Sequence, residues 1–269
     1  MEPAPFRIRE VAAELDDCFT LTLNPPGPDP SFTFAPGQFN MIYVFGHGEV
    51  PISMSGDPAS PQTLVHTIRR VGPVTDALGR LKPGEAVGVR GPFGSAWPLE
   101  QAHGKNVLVL AGGLGLAPLR PAIYHLLSHA ARYRSASLLY GSRSPNTLLF
   151  AAELESWAAR INLAVTVDSA GPGWRGHVGV VTDLLEGRDI DPANTVALLC
   201  GPEIMMRFCA RALMDMGLPA TAIHVSMERN MKCALGFCGR CQYGPHFICQ
   251  NGPVFSFDQV ERLFKIREL

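Results

Sequence analysis

The chain has 269 residues, a hydrophobic content of 46% and a formal net charge of -1. That length suggests about two domains of roughly 100–200 residues each, and the near-neutral charge gives no footing for nucleic acid or an anionic membrane as a partner. No run of about 18 apolar residues is present to span a bilayer, and the opening "MEPAPFRIRE" is charged and Pro-rich with no apolar signal core, so a cytoplasmic protein is expected.

In chain order, residues 1 to about 100 are punctuated by Pro and Gly. The runs Cys18–Pro26, Gln38–Phe45, Thr63–Gly72 and Glu85–Gly94 are strand-length and rich in β-branched or aromatic residues. Short strands divided by turn signals predict a small barrel or sandwich. Within it, "EVPISMSGDP" (Glu49–Pro58) carries Ser53 and Ser55 in a strand-like segment. "TIRRVGPVTDAL" (Thr67–Leu78) carries Arg69 and Arg70, then Gly72 and Thr75 ahead of a helical pattern. Arginine suits planar, bidentate contact with phosphate, and a helix start offers backbone donors. Composition alone favours the plainer reading, a polar barrel face.

From about Lys105 the texture changes. "NVLVLAGG" is a continuous apolar run, as in a strand buried on both faces of a parallel sheet. A helix is expected over Leu116–Tyr133, then the strand "SASLLYGS", a helix over Leu148–Arg160, the strand "INLAVTVD" and a short helix near Val180–Leu185. The strand "NTVALLCG", a helix over Pro202–Met216 and the strand Ala222–Met227 close the series. Strands alternating with helices predict a doubly wound α/β domain. The expected division is 1–100, 101–227 and a Cys/Gly-rich segment at 228–269. In its tail, Val260, Leu263, Phe264 and Ile266 could form an apolar face that packs on the chain or docks a partner.

"VLVLAGGLGLAPLRP" puts Gly112, Gly113 and Gly115 directly between the first buried strand and a helix. Bare glycine backbone can approach a diphosphate, and a helix N-terminus favours anions. The pattern is shorter than the full dinucleotide fingerprint, and a tight turn without ligand is the alternative. "LLCGPE" places Cys200, Gly201 and Pro202 after a later strand, where open α/β sheets bind ligands. The two loops together favour a nucleotide. Ser142 and Arg143 end the second strand of this domain, where an adenosine ribose is usually read. With no acidic residue there, a 2′-phosphate is tolerated; a solvated loop arginine is the alternative.

Four of the seven cysteines fall between Met231 and Gln250. Cys233, Cys238, Cys241 and Cys249 have the spacing C-x4-C-x2-C-x7-C, whose first three positions match the plant-type [2Fe–2S] loop. A structural zinc site is the rival, but zinc sites usually use two close arms and only one is present. A Rieske-type centre needs two histidines, and the loop has His246 alone. Cys18 and Cys209 read as buried small hydrophobes. No catalytic histidine or carboxylate motif stands out.

Taken together, "FAPGQF", "PISMS", "RRVGPVTDAL", "RGPFG", "AGGLGLAPLRP", "YGSRSP", "CGPEIMM" and "MERNMKCALGFCGRCQYGPHFICQNGPVF" resemble the ferredoxin–NADP reductase superfamily over nearly the whole chain. The last block is most similar to the branch with a C-terminal [2Fe–2S] loop. That branch holds the gamma (diaphorase) subunits of cytoplasmic NAD(P)-linked nickel–iron hydrogenases. The electron-transfer subunit of dihydroorotate dehydrogenase and the B subunit of anaerobic sulfite reductase are relatives.

The resemblance implies an FAD-binding β-barrel, an NAD(P)-binding α/β domain and a cluster segment. It implies an NAD(P)H-dependent oxidoreductase subunit that converts hydride into single electrons for partner subunits, the catalytic and iron–sulfur subunits of a hydrogenase. Pro51, Ile52, Ser53 and Ser55 match the segment against the flavin ring and ribityl chain. Arg69, Gly72, Val74 and Thr75 match the FAD pyrophosphate segment, which reverses the plainer reading of the barrel. Gly112, Gly113 and Gly115 match the nicotinamide-dinucleotide loop, and Cys200, Gly201 and Pro202 the loop beside the nicotinamide. Cys233, Cys238, Cys241 and Cys249 match the cluster ligands. One position departs: many relatives carry arginine directly before the Pro-x-Ser element, and here Val50 stands there.

Overall fold

The computed structural model of the chain describes residues 2–27 and 31–266. Its first part is antiparallel. β1 (Ala4–Leu15), β2 (Cys18–Asn24), β3 (Phe39–Val44), β4 (Gly48–Ser53), β5 (Leu64–Arg69) and β6 (Ala86–Phe93) form one sheet, with the short helix α1 (Pro73–Leu78) between β5 and β6. The strand order is β4-β3-β6-β1-β2-β5. An isolated Met54–His66 bridge and a Ser55 N–H bond to the Val65 carbonyl at 2.9 Å join the two outer strands, so the sheet closes into a barrel. β1 was not expected. Its alternation puts Phe6 and Ile8 inside, but charged residues fill the outward positions and two register shifts break the period.

The second part is a parallel α/β sheet. It runs β7 (Asn106–Gly112), α2 (Leu116–Ser128), β8 (Ser135–Ser142), α3 (Ala151–Ala158), β9 (Asn162–Val167), β10 (His177–Val178), β11 (Thr195–Cys200), α4 (Glu203–Asp215) and β12 (Ile223–Ser226). The helices are shorter than the patterns suggest: α2 stops at Ser128 and is followed by a 3-10 turn, and Val181–Leu185 is 3-10 throughout. All six residues of β11 are buried, as its unbroken apolar run requires of a strand covered on both faces.

The C-terminal segment holds β13 (Gln242–Tyr243), β14 (His246–Phe247), α5 (Ile248–Asn251), β15 (Val254–Ser256) and α6 (Phe257–Val260). β15 pairs antiparallel with β12, giving the order β10-β9-β8-β7-β11-β12-β15. The residues just before β15 also reach the barrel, where Ser95 N–H bonds the Gly252 carbonyl at 2.7 Å. One core on a face of this sheet includes Phe39 and Met41 of the barrel together with Cys241, Tyr243, Ile248 and Phe255. Barrel, parallel sheet and cysteine loop therefore meet in this one core, while the barrel interior and the other face of the sheet form cores of their own. Most of the tail packs on its own chain, with Phe257, Val260 and Phe264 buried and Ile266 exposed; its last three residues lie outside the described ones. No helix among the described residues is long and apolar enough to cross a membrane.

Candidate functional site

The order of the parallel strands reverses between β7 and β11, and both carboxyl-terminal loops at that switch point are the ones singled out in the sequence. Gly112, Gly113 and Gly115 follow β7; Cys200, Gly201 and Pro202 follow β11. The two loops touch. A Cβ on Gly115 would fall on the Cys200 backbone, well inside van der Waals contact, and one on Gly112 would strike Met205. Gly113 has φ +52° and open space around it. No side chain caps α2, but the Leu116 N–H turns back to the Gly113 carbonyl and Pro118 has none, so the bare glycine backbone rather than a free helix start is what the loop offers. Burial pushes the Cys200 thiol up to about 12, which keeps it neutral.

At the end of β8 the pair Ser142–Arg143 divides. Ser142 is buried, and its hydroxyl donates to the Thr147 carbonyl at 2.8 Å. Arg143 is exposed. Next to it opens a cleft of about 560 Å³ lined by Ser144, Asn146, Ser169 and Trp174 among others, with no carboxylate in its wall.

In the barrel, every residue of β4 is half-buried, Pro51, Ile52 and Ser53 included. The strand pairs with β3 along its whole length, and Val74 of α1 packs beside its first residue. Ser55 is different. It is fully buried and its hydroxyl contacts Thr67 at 2.8 Å, continuing through Thr20 to Glu14. Thr75 closes its own turn: its hydroxyl accepts from the Val71 and Gly72 N–H groups at 3.0 and 3.1 Å. Val74 is half-buried against the barrel core. Arg69 is paired with Asp17 at 3.4 Å, half-exposed, while Arg70 turns to the Gly79 carbonyl at 2.8 Å.

Three polar groups that sequence reasoning passed over lie between these parts. His66 is buried in the barrel and held down to about 4 by that burial. Its Nδ1 contacts the Ser53 carbonyl at 3.0 Å and its Nε2 contacts the Asn40 amide at 3.2 Å. Arg120 of α2 pairs with Glu153 and donates to the Ser55 carbonyl at 3.3 Å, tying the parallel sheet to the barrel. Arg90 of β6 pairs with Glu49 and donates to the Cys233 carbonyl at 3.1 Å. Each was visible as the one ionisable residue in a mostly apolar run, "LVHTI", "LAPLRPAI" and "AVGVRGPF".

The four loop cysteines meet as two pairs. Cys233 is held down to about 6, foremost by the Leu235 N–H at 3.3 Å, with help from the Cys238 and Phe237 N–H groups and the Cys238 thiol. Cys249 lies against Cys241; burial pushes its thiol up to about 12, and the Gly236 N–H reaches its sulfur at 3.3 Å. Cys241 and Cys249 are buried, Cys233 is half-buried and Cys238 is exposed. Among the described residues no point gathers three ligand side chains about one ion. A structural zinc needs four donors around a single centre. Two thiol pairs framed by backbone N–H groups fit a binuclear iron–sulfur cluster.

Comparison with known proteins agrees in each part. Residues 109–211 match the oxidoreductase NAD-binding domain family, and residues 228–261 match the iron–sulfur cluster binding domain of dihydroorotate dehydrogenase B. Sulfhydrogenase 2 subunit gamma of Pyrococcus furiosus is 36% identical over 247 residues, 85% of this chain and 85% of that protein. The chain belongs to the family of these electron-transfer subunits. Another member, a probable dihydroorotate dehydrogenase B electron transfer subunit of Methanocella arvoryzae, is 33% identical over 97% of this chain and 93% of its own. Among solved structures, a chain of an NADH-dependent reduced ferredoxin–NADP oxidoreductase superposes with a TM-score of 0.75 at 28% identity, covering 98% of this chain and 95% of that one. Phthalate dioxygenase reductase shares the fold, with a TM-score of 0.67 at 21% identity over 83% of this chain and 67% of its own. Members of this family are oxidoreductases with a ferredoxin-reductase-like fold, and this chain carries both the NAD-binding and the cluster-binding domain.

Proposed function

We propose that the chain is the electron-transfer flavoprotein subunit of a redox complex, linking NAD(P)H to a partner enzyme through FAD and a [2Fe–2S] cluster. The partner is a cytoplasmic nickel–iron hydrogenase, and this chain its gamma subunit. The observation that carries the reading is convergence: the cysteine pairs sit on a loop bonded to the barrel and continuous with the nucleotide sheet. When bound, flavin and cluster would supply hydride acceptance and single-electron transfer.

The chain's own residues position these groups. Gly112, Gly113 and Gly115 leave backbone bare for the dinucleotide phosphates, and Arg143 meets the adenosine end. The Cys200–Pro202 loop lies at the nicotinamide, with a thiol kept neutral and so inert as acid or nucleophile. Pro51, Ile52 and Ser53 would hold the flavin ring, and Arg69, Gly72, Val74 and Thr75 its pyrophosphate. The functional units are residues 1–100, 101–227 and 228–269. Phe237, 86% exposed beside exposed Cys238, supports the outer edge of the cluster loop as the place where the partner docks.

A second reading keeps the same chemistry and changes the partner to a dihydroorotate-oxidising enzyme. The match of residues 228–261 to the dihydroorotate dehydrogenase B domain favours it. An anaerobic visible spectrum of the purified chain, before and after NADH or NADPH, tests the chemistry, with iron and zinc analysis alongside. Flavin and iron–sulfur bands that bleach with nucleotide are expected. A colourless, zinc-containing protein sinks the proposal, and the subunits that copurify with the tagged chain name the partner.

A further inference from the structure

Arg90 stands one residue before the Gly91–Pro92 turn and is 8% exposed. Its guanidinium divides its donors between two regions of the molecule. Nε and Nη2 form a bidentate pair with Glu49 of β4 at 2.7 and 2.6 Å. Nη1 donates to the Cys233 carbonyl at 3.1 Å, and Nη2 also reaches the Lys232 carbonyl at 3.4 Å. The Phe93 ring lies 5.8 Å away. Glu49 is two residues ahead of Pro51 on the same strand, so the barrel end of this contact is rooted in the proposed flavin segment.

A buried cation is costly unless paired and hydrogen-bonded. Apolar packing would hold the loop at less cost but would not set its direction. A planar fork does, because its N–H groups point along fixed lines at two successive carbonyls. Lysine, a single point charge, cannot engage Glu49 and both carbonyls at once.

We propose that Arg90, clamped by Glu49, is a positioning residue that fixes the Cys233 end of the cluster loop against β4 and so sets the coupling between flavin and cluster. The proposal rests on the reading of Cys233, Cys238, Cys241 and Cys249 as cluster ligands. The arrangement has a signature that mere structural support lacks. The pair is neutral as a whole, with its positive member against the cluster loop. Removing each member should therefore move the cluster potential in opposite directions.

The test uses the full chain, purified anaerobically, as wild type, Arg90→Met, Glu49→Gln and the double variant. Cluster potential is followed by redox titration with electron paramagnetic resonance detection, and iron and flavin contents are measured. Arg90→Met should lower the cluster potential, Glu49→Gln should raise it, and the double variant should return towards wild type. With Arg90→Met, bleaching of the flavin by nucleotide should stay within two-fold while cluster reduction slows at least ten-fold. Hydrogen exchange over residues 231–236 should quicken. Shifts of the same sign, or cluster reduction that keeps pace with flavin reduction in Arg90→Met, overturn the proposal. Should Arg90→Met fold poorly or lose iron, Glu49→Gln decides alone: a raised potential supports the strut and an unchanged one refutes it. A wild-type chain without iron removes the underlying reading, and the strut's role with it.

Discussion

The parallel sheet and the barrel build their ligand-facing surfaces from different atoms. At the switch point of the sheet the surface is built on glycine backbone: Gly115 lies directly on the Cys200 backbone, and the Met205 side chain packs over Gly112 and Gly201. In the barrel, side chains that look free along the chain are engaged with one another. Ser55 is bonded to Thr67, Thr75 to its own turn and Arg70 to Gly79. What remains partly accessible there is the strand β4, half-buried along its whole length. A site defined by missing side chains shows itself in a motif. A site flanked by polar side chains shows itself only once their partners are known.

The sharpest way to break this comparison is Gly115→Ala. Its Cβ meets the Cys200 backbone, which cannot move without displacing β11. A loss of about 3 kcal/mol of stability is expected from such overpacking, with nucleotide-dependent bleaching abolished. Gly113→Ala, in open space but at φ +52°, should cost only about 1 kcal/mol of backbone strain. Urea unfolding of the two variants checks the ranking; equal losses would mean that the loops do not touch.

On the barrel side, His66 yields the next largest effect. Burial holds the native ring neutral down to about 4, whereas the unfolded ring protonates near 6.5. The unfolded state thus binds the proton first as pH falls. Stability should decline between pH 6.5 and 4 by roughly 3 kcal/mol and level off below. His66→Gln should remove that contribution, and His224, also lowered to about 4 by burial, leaves a slope of similar size. A slope that His66→Gln leaves intact refutes the buried neutral ring.

Ser55→Ala separates the two views of that residue. With its hydroxyl in the Thr67–Thr20 chain, stability should fall by about 1 kcal/mol while flavin retention stays within two-fold. Flavin loss without destabilisation would return Ser55 to the flavin. The smallest change in stability is expected of Arg69→Gln, under about 1 kcal/mol, because the pair with Asp17 is solvent-exposed. Flavin retention should nonetheless fall several-fold if this cation meets the pyrophosphate. Equilibrium dialysis of the flavin reads both variants.

Much of the architecture was legible along the chain. The unbroken apolar runs at β7 and β11 announced a parallel sheet, and the cysteine spacing announced a cluster, because each signal lies within a few residues. β1 was hidden by outward charges and two register shifts. The pairwise meeting of the cysteines was not legible either, since spacing cannot say which thiols face which. Ser142 looked like half of a ribose site, yet its hydroxyl turns inward to Thr147, leaving Arg143.

Local periodicity and backbone freedom were enough for the sequence by itself to determine the alternation of strands and helices from β7 to β12, the glycine loop and the cysteine segment, while its motifs carried the resemblance to the family. Only the tertiary structure decided that Arg90 would find Glu49 41 residues away and Cys233 143 residues away. It also decided that Arg120 would reach the Ser55 carbonyl and that β15 would finish the sheet begun at β7. Those contacts depend on which surfaces meet when three parts pack together, and no local pattern encodes the partner of a charge that must be satisfied across the fold.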